Sequence, residues 1–170
     1  MKKSKMIFAT IVMVAGFSAS VMAQTENTAV GAKILTAMTI TETSAMHFGT
    51  MTVPTGATTV VLATAGTVSV GSGATILLAQ APVSTAAAYE ITGDLNATYA
   101  ITIDASTIIT NGTPAEDMTV SSFTCSYGGL TSSLDASGDD DFTIGATLTL
   151  GDAQPAGTYA GTFDVTVAYN

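Results

Sequence analysis

The chain has 170 residues, with 13 acidic against four basic side chains, one histidine and one cysteine, and a formal net charge of −9. This acidic balance argues against nucleic acid and anionic membrane surfaces as partners, because both require cationic patches. The length fits one domain, and a composition rich in Ala, Thr, Gly and Val favours strands and tight turns.

Residues 1–23 have the pattern of a secretory signal peptide. Three lysines lie within the first five residues, an apolar stretch covers 6–17, and small residues precede a cleavage site after Ala23. The apolar stretch is shorter than the roughly 20 residues that a membrane span needs, so we expect export without membrane insertion. Cleavage leaves Lys33 as the one basic residue against all 13 acids, a net charge of −12 for the mature chain. The mature chain is therefore expected to be exported and soluble.

Residues 24–32 are small and polar and are expected to form a flexible N-terminal arm, followed by one domain over 33–170. Within that domain, strand patterns alternate with Gly, Pro, Asn and Asp, and residues 74–80 fit a short helix or a strand equally well. Many short strands without an amphipathic helix predict an all-β antiparallel sandwich. The predicted strands are 33–41, 58–64, 86–92, 98–103, 118–127, 141–150 and 158–169, with shorter ones at 46–51 and 66–70.

The last two predicted strands carry the clearest alternation. Even-numbered positions of 142–150 are apolar, a compact turn follows at 151–157, and the chain then ends in a strand with one apolar and one polar face. This order predicts an antiparallel hairpin whose apolar faces share one core. A long terminal strand must also pair, because unpaired edges recruit other chains. The apolar face of the terminal strand comprises Gly157, Tyr159, Gly161, Phe163, Val165, Val167 and Tyr169.

The inventory of catalytic groups is nearly empty, so an enzyme is not expected. His47 is the one histidine, and every Ser-His-Asp or Cys-His arrangement depends on it. Its place between Met46 and Phe48 is typical of a residue at the edge of a core. Cys125 is expected to be a buried, unreactive thiol, since no basic residue lies near it to lower its pKa.

One acidic loop loosely imitates a calcium loop, with oxygen ligands at alternate positions. The competing interpretation is a solvated turn between strands, and no cofactor is expected. Two sequons for N-glycosylation begin at Asn96 and Asn111, although such short patterns are common by chance. The candidate calcium ligands are Asp135, Ser137, Asp139 and Asp141.

Three stretches carry a resemblance that spans most of the mature chain: AKILTAMTITETSAMHFGTM at 32–51, AAAYEITGDLNATYAITI at 86–103 and GATLTLGDAQPAGTYAGTFDVTVAYN at 145–170. The pair Phe48-Gly49 and the ending Gly-Thr-Tyr-x-Gly-Thr-Phe are its more specific features. The chain resembles a family of small exported bacterial domains of unknown function, related to spore-coat-U-like and other chaperone–usher pilin subunits.

The resemblance implies an immunoglobulin-like, pilin-like sandwich that lacks one strand. Pilin subunits of this class end in a strand with an aromatic penultimate residue, here Tyr169, and carry a glycine fourteen places from the end, here Gly157. A periplasmic chaperone and an outer-membrane usher are implied as partners, and the N-terminal arm of the next subunit then fills the gap to build a fibre. Contacts with chaperone or subunit are implied for Gly157, Tyr159, Phe163, Val165, Val167 and Tyr169, and the donor residues are Val30, Ala32 and Ile34.

The expected function is therefore an exported structural subunit of a bacterial surface fibre, a self-polymer held together by strand complementation. The alternative is a complete sandwich that acts as a monomeric secreted or surface-attached binding module or adhesin. Tyr89, Tyr99 and Tyr127 are its candidate contact residues, although a core position is the competing interpretation for each. The sequence contains no tryptophan, the residue best suited to stacking on sugars.

Overall fold

A computed structural model describes residues 24–77 and 80–170, so the predicted signal peptide lies outside the described residues. The described chain is all-β and antiparallel, which confirms the predicted fold class. Its single helical element is a 3-10 turn at Pro114–Glu116. The strands within the described residues are β1 Thr39–Ser44, β2 His47–Phe48, β3 Thr58–Leu62, β4 Val68–Val70, β5 Ser84–Thr85, β6 Ala87–Thr92, β7 Thr98–Ile103, β8 Ser106–Ile109, β9 Met118–Cys125, β10 Thr131–Ser133, β11 Asp139–Leu150 and β12 Val165–Tyr169.

A seven-stranded sheet is built around β11, which has 12 residues and carries neighbours along both edges. Strand β9 pairs with one edge of β11. Along the opposite edge, β6 pairs with the first half of β11 and β3 pairs with the second half. Ile144 accordingly pairs with both β6 and β9, whereas Leu148 pairs with both β3 and β9. Strands β1, β4 and β8 extend this sheet outward from β6, β3 and β9.

A second sheet has three strands in the order β10-β7-β12, and β2 pairs with β5 in a separate two-stranded ladder. Side chains of the three-stranded sheet pack against one half of the large sheet, which makes the fold a β-sandwich. Burial of such apolar side chains contributes about 1.5–3 kcal/mol each. The core between the sheets, called here the intersheet cluster, comprises Ala87, Tyr89, Ile91, Tyr99, Ile101, Leu134, Phe142 and Ile144.

The other half of the large sheet is covered mainly by loops, together with Phe48 of the two-residue strand β2. Its inward side chains come from β3, β9 and β11, where buried and exposed positions alternate as in Thr58–Leu62. Met51, Ile76 and Tyr159 are among the partly buried side chains that pack over it. This loop-covered cluster comprises Phe48, Val60, Leu62, Met118, Val120, Ala146, Leu148 and Leu150.

Most predicted strands are confirmed within two residues, but the first and last predicted strands differ. The first begins at Thr39 rather than at residue 33, and the last begins at Val165 rather than at residue 158. The ambiguous segment 74–80 contributes an isolated bridge from Ile76 to Met51, and its residues 78–79 lie outside the described chain. Strands β5, β8 and β10 are two to four residues long and were not predicted.

The predicted hairpin between the last two strands is wrong, because β11 and β12 belong to different sheets. Residues 157–164 instead run beside β8, where Thr110 and Ala160 exchange two backbone hydrogen bonds of 2.9 and 3.0 Å. A side chain at Gly161 would place its Cβ 2.4 Å from the Ile108 carbonyl oxygen, so this close approach requires glycine. The chain then crosses to the three-stranded sheet and pairs with β7.

The N-terminal part of the described chain has no regular structure before Thr39. Residues 24–33 belong to a separate unit from residues 34–170 and are exposed throughout. In the part of the chain that the structure describes, no helix is long and apolar enough to cross a membrane.

Substitution of Gly145 tests the packing around β11. A Cβ at Gly145 would lie 2.3 Å from the Leu62 carbonyl oxygen and 2.8 Å from the Ala63 carbonyl carbon, both rigid backbone atoms. We expect Gly145→Ala to lower the free energy of unfolding by about 1–3 kcal/mol or more, measured by urea denaturation. The control Gly129→Ala places a Cβ in open space, and equal urea midpoints for the two variants would contradict this account.

Candidate assembly edge

Within the described residues, β12 is an edge strand whose one ladder partner is β7. The flanking hydrogen bonds show which residues face that partner: Asp104 N–H donates to the Asp164 carbonyl and Asn170 N–H to the Thr98 carbonyl, both at 3.2 Å. Because backbone groups of successive residues point to opposite sides of a strand, the N–H and C=O groups of Val165, Val167 and Tyr169 point away from β7. These groups are called the open edge.

The side chains of the same three residues point inward. Val165, Val167 and Tyr169 are half-buried and pack against the intersheet cluster, whereas Thr166 and Ala168 between them are exposed. The predicted division of the terminal strand into an apolar and a polar face is therefore confirmed over β12. Apolar side chains that are only half covered leave surface that a further chain would bury with a gain of free energy.

Strand β1 lies next to β12 on the side away from β7. It pairs with β6 in the large sheet, and in the described residues no backbone ladder joins it to β12. Met38 and Ile40 are partly buried against the intersheet cluster, like the valines of β12. The flank between β1 and β12 thus places an unpaired strand edge beside incompletely covered core residues.

The penultimate residue, Tyr169, fixes one end of this flank. Its hydroxyl accepts a hydrogen bond from the Asp94 N–H at 2.6 Å and donates one to the Thr36 carbonyl at 2.7 Å. A Cβ at Gly93 would lie 2.4 Å from the hydroxyl oxygen, so the turn before β7 has no room for a side chain at that position. Tyr169 therefore joins the last strand to the segment before β1 and to the β6–β7 turn.

The other predicted contact residues do not lie on β12. Tyr159 packs over the loop-covered cluster, where its hydroxyl donates to the Pro155 carbonyl at 2.9 Å and accepts from Gln154 Nε2 at 3.1 Å. Gly157 is exposed near the ring of Tyr159. Phe163 stacks on Phe123 with 4.7 Å between ring centroids and packs against the intersheet cluster. The structure thus brings Phe163, Val165, Val167 and Tyr169 to one core cluster and places Gly157 and Tyr159 elsewhere.

The predicted donor residues are exposed within their own chain. Val30 and Ile34 have exposed fractions of 95% and 92%, and Ala32 between them is exposed as well. No strand includes this segment in the described chain. The side chains of Val30 and Ile34 are therefore accessible to another surface.

In the candidate calcium loop, the Asp135 carboxylate binds backbone groups of the loop itself. Asp135 Oδ1 accepts the N–H groups of Ser137 at 2.7 Å and Asp139 at 3.0 Å, and these backbone hydrogen bonds lower the pKa of Asp135. Asp141 lies on β11 and faces Glu90 of β6 in the ladder. Among the described residues, no group of three or more acidic, histidine or cysteine side chains is placed to hold a metal ion. The hydrogen bonds agree with the alternative interpretation as a solvated turn.

Asp140, which the sequence analysis did not single out, is a polar tie between the two sheets. Its carboxylate accepts hydrogen bonds from Ser132 at 2.7 Å, from Tyr99 at 3.0 Å and from Tyr127. Burial alone raises the pKa of Asp140, but the hydrogen bonds from Tyr127, Ser132 and Tyr99 outweigh it and leave this pKa below its usual value. Burial and the Asp140 contact raise the pKa of Tyr127 to about 12. No local sequence pattern predicts this group of Asp140 and its hydroxyl donors, here called the Asp140 cluster, because its members come from separate strands and loops.

Of the three tyrosines that were candidate contact residues of a binding module, two are buried in the core and one is exposed. Tyr99 and Tyr89 are buried, with exposed fractions of 0% and 9%, and Tyr89 stacks on Phe142. Tyr127 is 39% exposed, but its hydroxyl contacts Asp140 and the Asp141 carbonyl. One of the three therefore presents an accessible ring.

His47 and Cys125 have no catalytic neighbours in the described chain. His47 Nδ1 accepts the Gly49 N–H at 2.8 Å, and burial lowers the pKa of the imidazole. Cys125 is a free, half-buried thiol opposite Ile144 in the β9–β11 ladder. The half-buried position of His47 agrees with its expected place at the edge of a core, whereas Cys125 is less buried than expected.

Removal of the Tyr169 hydroxyl tests the tie at the end of β12. Tyr169→Phe leaves the Asp94 N–H and the Thr36 carbonyl without this partner, so we expect a loss of about 1–3 kcal/mol in the free energy of unfolding by urea denaturation. Tyr89→Phe is the matched control, because no hydrogen bond of the Tyr89 hydroxyl occurs in the described part of the chain. A loss of similar size in both variants would contradict a specific role for Tyr169.

The lowered pKa of Asp140 predicts a pH-dependent contribution to stability. A carboxyl with a depressed folded-state pKa stabilises the fold above its unfolded pKa, about 3.9 for Asp, and loses that contribution as the pH falls through the folded value. We expect Asp140→Asn to lower the free energy of unfolding by about 1–2 kcal/mol at neutral pH and by progressively less below about pH 4. Urea denaturation at several pH values measures this difference. A pH-independent difference from wild type would show that the charge of Asp140 is not the source.

Comparisons with known proteins add one finding to this geometry. No curated protein and no solved structure matches the chain. Residues 38–169, which run from just before β1 to the end of β12, match the family described as Domain of unknown function (DUF4402). The match covers well over half of the 170 residues, and the protein therefore belongs to this family of domains of unknown function.

Proposed function

We propose that this protein is an exported structural subunit of a surface fibre, in which copies are joined by a β-strand added to the open edge of β12. The observation that carries the proposal is an unpaired edge at Val165, Val167 and Tyr169, beside apolar side chains that are only half covered. Strand addition suits such a place, since backbone hydrogen bonds provide affinity and alternate side chains provide register.

The energetics of the edge favour a strand as occupant. Each backbone hydrogen bond formed there contributes about 0.5–1.5 kcal/mol net. Side chains of the added strand also cover Met38, Ile40 and the β12 valines, which pack on the intersheet cluster. Because β12 has five residues, the ladder is short, and burial of apolar surface must supply much of the binding free energy.

The N-terminal arm of a second copy is the proposed donor. Val30 and Ile34 are almost fully exposed in their own chain and alternate with Ala32, so all three share one face of an extended strand. Burying an aliphatic side chain of this size contributes about 1.5–3 kcal/mol. The arm therefore gains by docking on another copy, and a head-to-tail contact of this kind continues into a fibre unless it closes into a ring.

Export and the assembly partners belong to the same proposal. The signal-peptide pattern supports passage through the periplasm to the cell surface, and the resemblance to chaperone–usher pilins supports a periplasmic chaperone and an outer-membrane usher. Before assembly, a chaperone strand covers the open edge. We assign no catalytic role, since the imidazole of His47 accepts a backbone N–H and Cys125 packs beside Ile144.

Substitutions in the arm test the donor assignment without altering the sandwich. We expect Val30→Asp with Ile34→Asp to abolish polymers of the mature chain, because both charges would enter an apolar surface. The melting temperature of the monomer should stay unchanged, since both side chains are exposed there. Size-exclusion chromatography with light scattering, together with heated and unheated gel lanes, measures the polymers.

The control places the same two charges on the opposite face of the arm, as Ala29→Asp with Gly31→Asp, and should leave the heat-labile ladders intact. Deletion of residues 24–32 should leave a folded chain that cannot polymerise. If the truncated or Val30/Ile34 variants still form ladders, the donor assignment is wrong. A wild-type chain that stays a stable monomer would instead favour the binding module or adhesin.

A further inference from the structure

The two N-glycosylation sequons occupy different environments. Asn111 is half-buried, and its Nδ2 donates to Glu116 Oε2 at 2.6 Å, while its Oδ1 accepts the Thr113 N–H at 2.9 Å. Both ends of its amide are therefore engaged, and Nδ2 also lies 3.3 Å from the Tyr159 hydroxyl. A glycan on this nitrogen would break the contacts that hold the loop before the 3-10 turn.

Asn96, in contrast, is exposed at the tip of the turn between β6 and β7. Its backbone has φ of 56°, a left-handed conformation that asparagine tolerates in turns. The backbone N–H donates to the Asp135 carbonyl at 2.9 Å, whereas the side-chain amide has no hydrogen bond within the described residues. Leu95 beside it has an exposed fraction of 57%, so the turn projects into solvent.

The residues around Asn96 complete an acceptor sequence. Thr98 supplies the hydroxyl at the second position after the asparagine and is exposed at the start of β7.

We propose that Asn96 is an N-glycosylation acceptor and that Asn111 is not. The co-reactant is a lipid-diphosphate-linked oligosaccharide, and a membrane-bound oligosaccharyltransferase catalyses the transfer. Asn96 Nδ2 forms a bond to the anomeric carbon of the first sugar while the bond from that carbon to the diphosphate oxygen breaks. The lipid diphosphate leaves with the electron pair, and one amide proton passes to solvent. This inference requires export but not fibre assembly.

The position of Asn96 is compatible with an intact fold. The Tyr169 hydroxyl binds the N–H of Asp94, two residues before the acceptor, so the turn is held while the Asn96 amide stays outside the core. A glycan there extends from the turn tip and displaces no hydrogen bond of the Asn96 side chain. Glycosylated and unmodified chains should accordingly have similar melting temperatures.

The test expresses the full chain in a bacterial host that carries an oligosaccharyltransferase and its lipid-linked oligosaccharide, and measures the intact mass of the exported protein. We expect a gain equal to one oligosaccharide. Asn96→Asp, which keeps a residue that tolerates positive φ, and Thr98→Val, which keeps Asn96, should each abolish the gain. Thr113→Val, which destroys the other sequon, should leave the mass gain unchanged.

Three results would overturn the proposal. The first is no mass gain in the wild-type chain while an acceptor peptide in the same cells is modified. The second is a glycan that persists in Asn96→Asp or Thr98→Val, and the third is a glycan lost in Thr113→Val. Circular dichroism of each variant confirms that a missing glycan does not reflect an unfolded chain.

Discussion

Backbone pairing along both edges of β11 is the interaction on which the rest of this fold depends. One edge pairs with β9, and the other is divided between β6 and β3. Because side chains alternate along a strand, this pairing sends residues of β11 into both core clusters. Gly145 lies at the junction between the β6 and β3 segments, where neighbouring backbone leaves no room for a side chain. Loss of pairing on β11 would separate both clusters at once.

The two clusters are covered in different ways, and this asymmetry explains where the molecule is open. Loops and the segment before β12 cover one cluster, whereas a sheet of three strands covers the other. A three-stranded sheet is narrower than its seven-stranded partner, so its β12 edge leaves the neighbouring core half covered. Acidic residues such as Glu90 and Asp141 occupy the outer surface. The open edge itself carries backbone dipoles and apolar side chains, which do not repel another acidic chain.

Sequence alternation was sufficient to predict the sandwich, because strands such as β3 and β6 bury every second residue over their full length. It did not predict which strands pair, since alternation defines faces but not partners. The wrong hairpin prediction has this origin. Tyr159 and Val167 both belong to the alternating apolar positions of the predicted last strand, yet they pack against different clusters. At the candidate site, the inward face of β12 was predictable from the alternation of apolar and polar residues. The Asp140 cluster was not, because its hydroxyl donors lie 8 to 41 residues away along the chain.

The hydrogen bond of Tyr169 to Thr36 has a kinetic consequence. This hydrogen bond joins residues 133 positions apart. The ladder between β12 and β7 also links segments that are distant along the chain. Closing loops of this size costs chain entropy before the contacts stabilise the product, and proteins dominated by such contacts fold slowly. The three-stranded sheet is thus expected to form late, after the local pairs β3–β4 and β8–β9. During that interval the intersheet cluster lacks its cover, and the folding chain is at its most vulnerable to proteases and to aggregation.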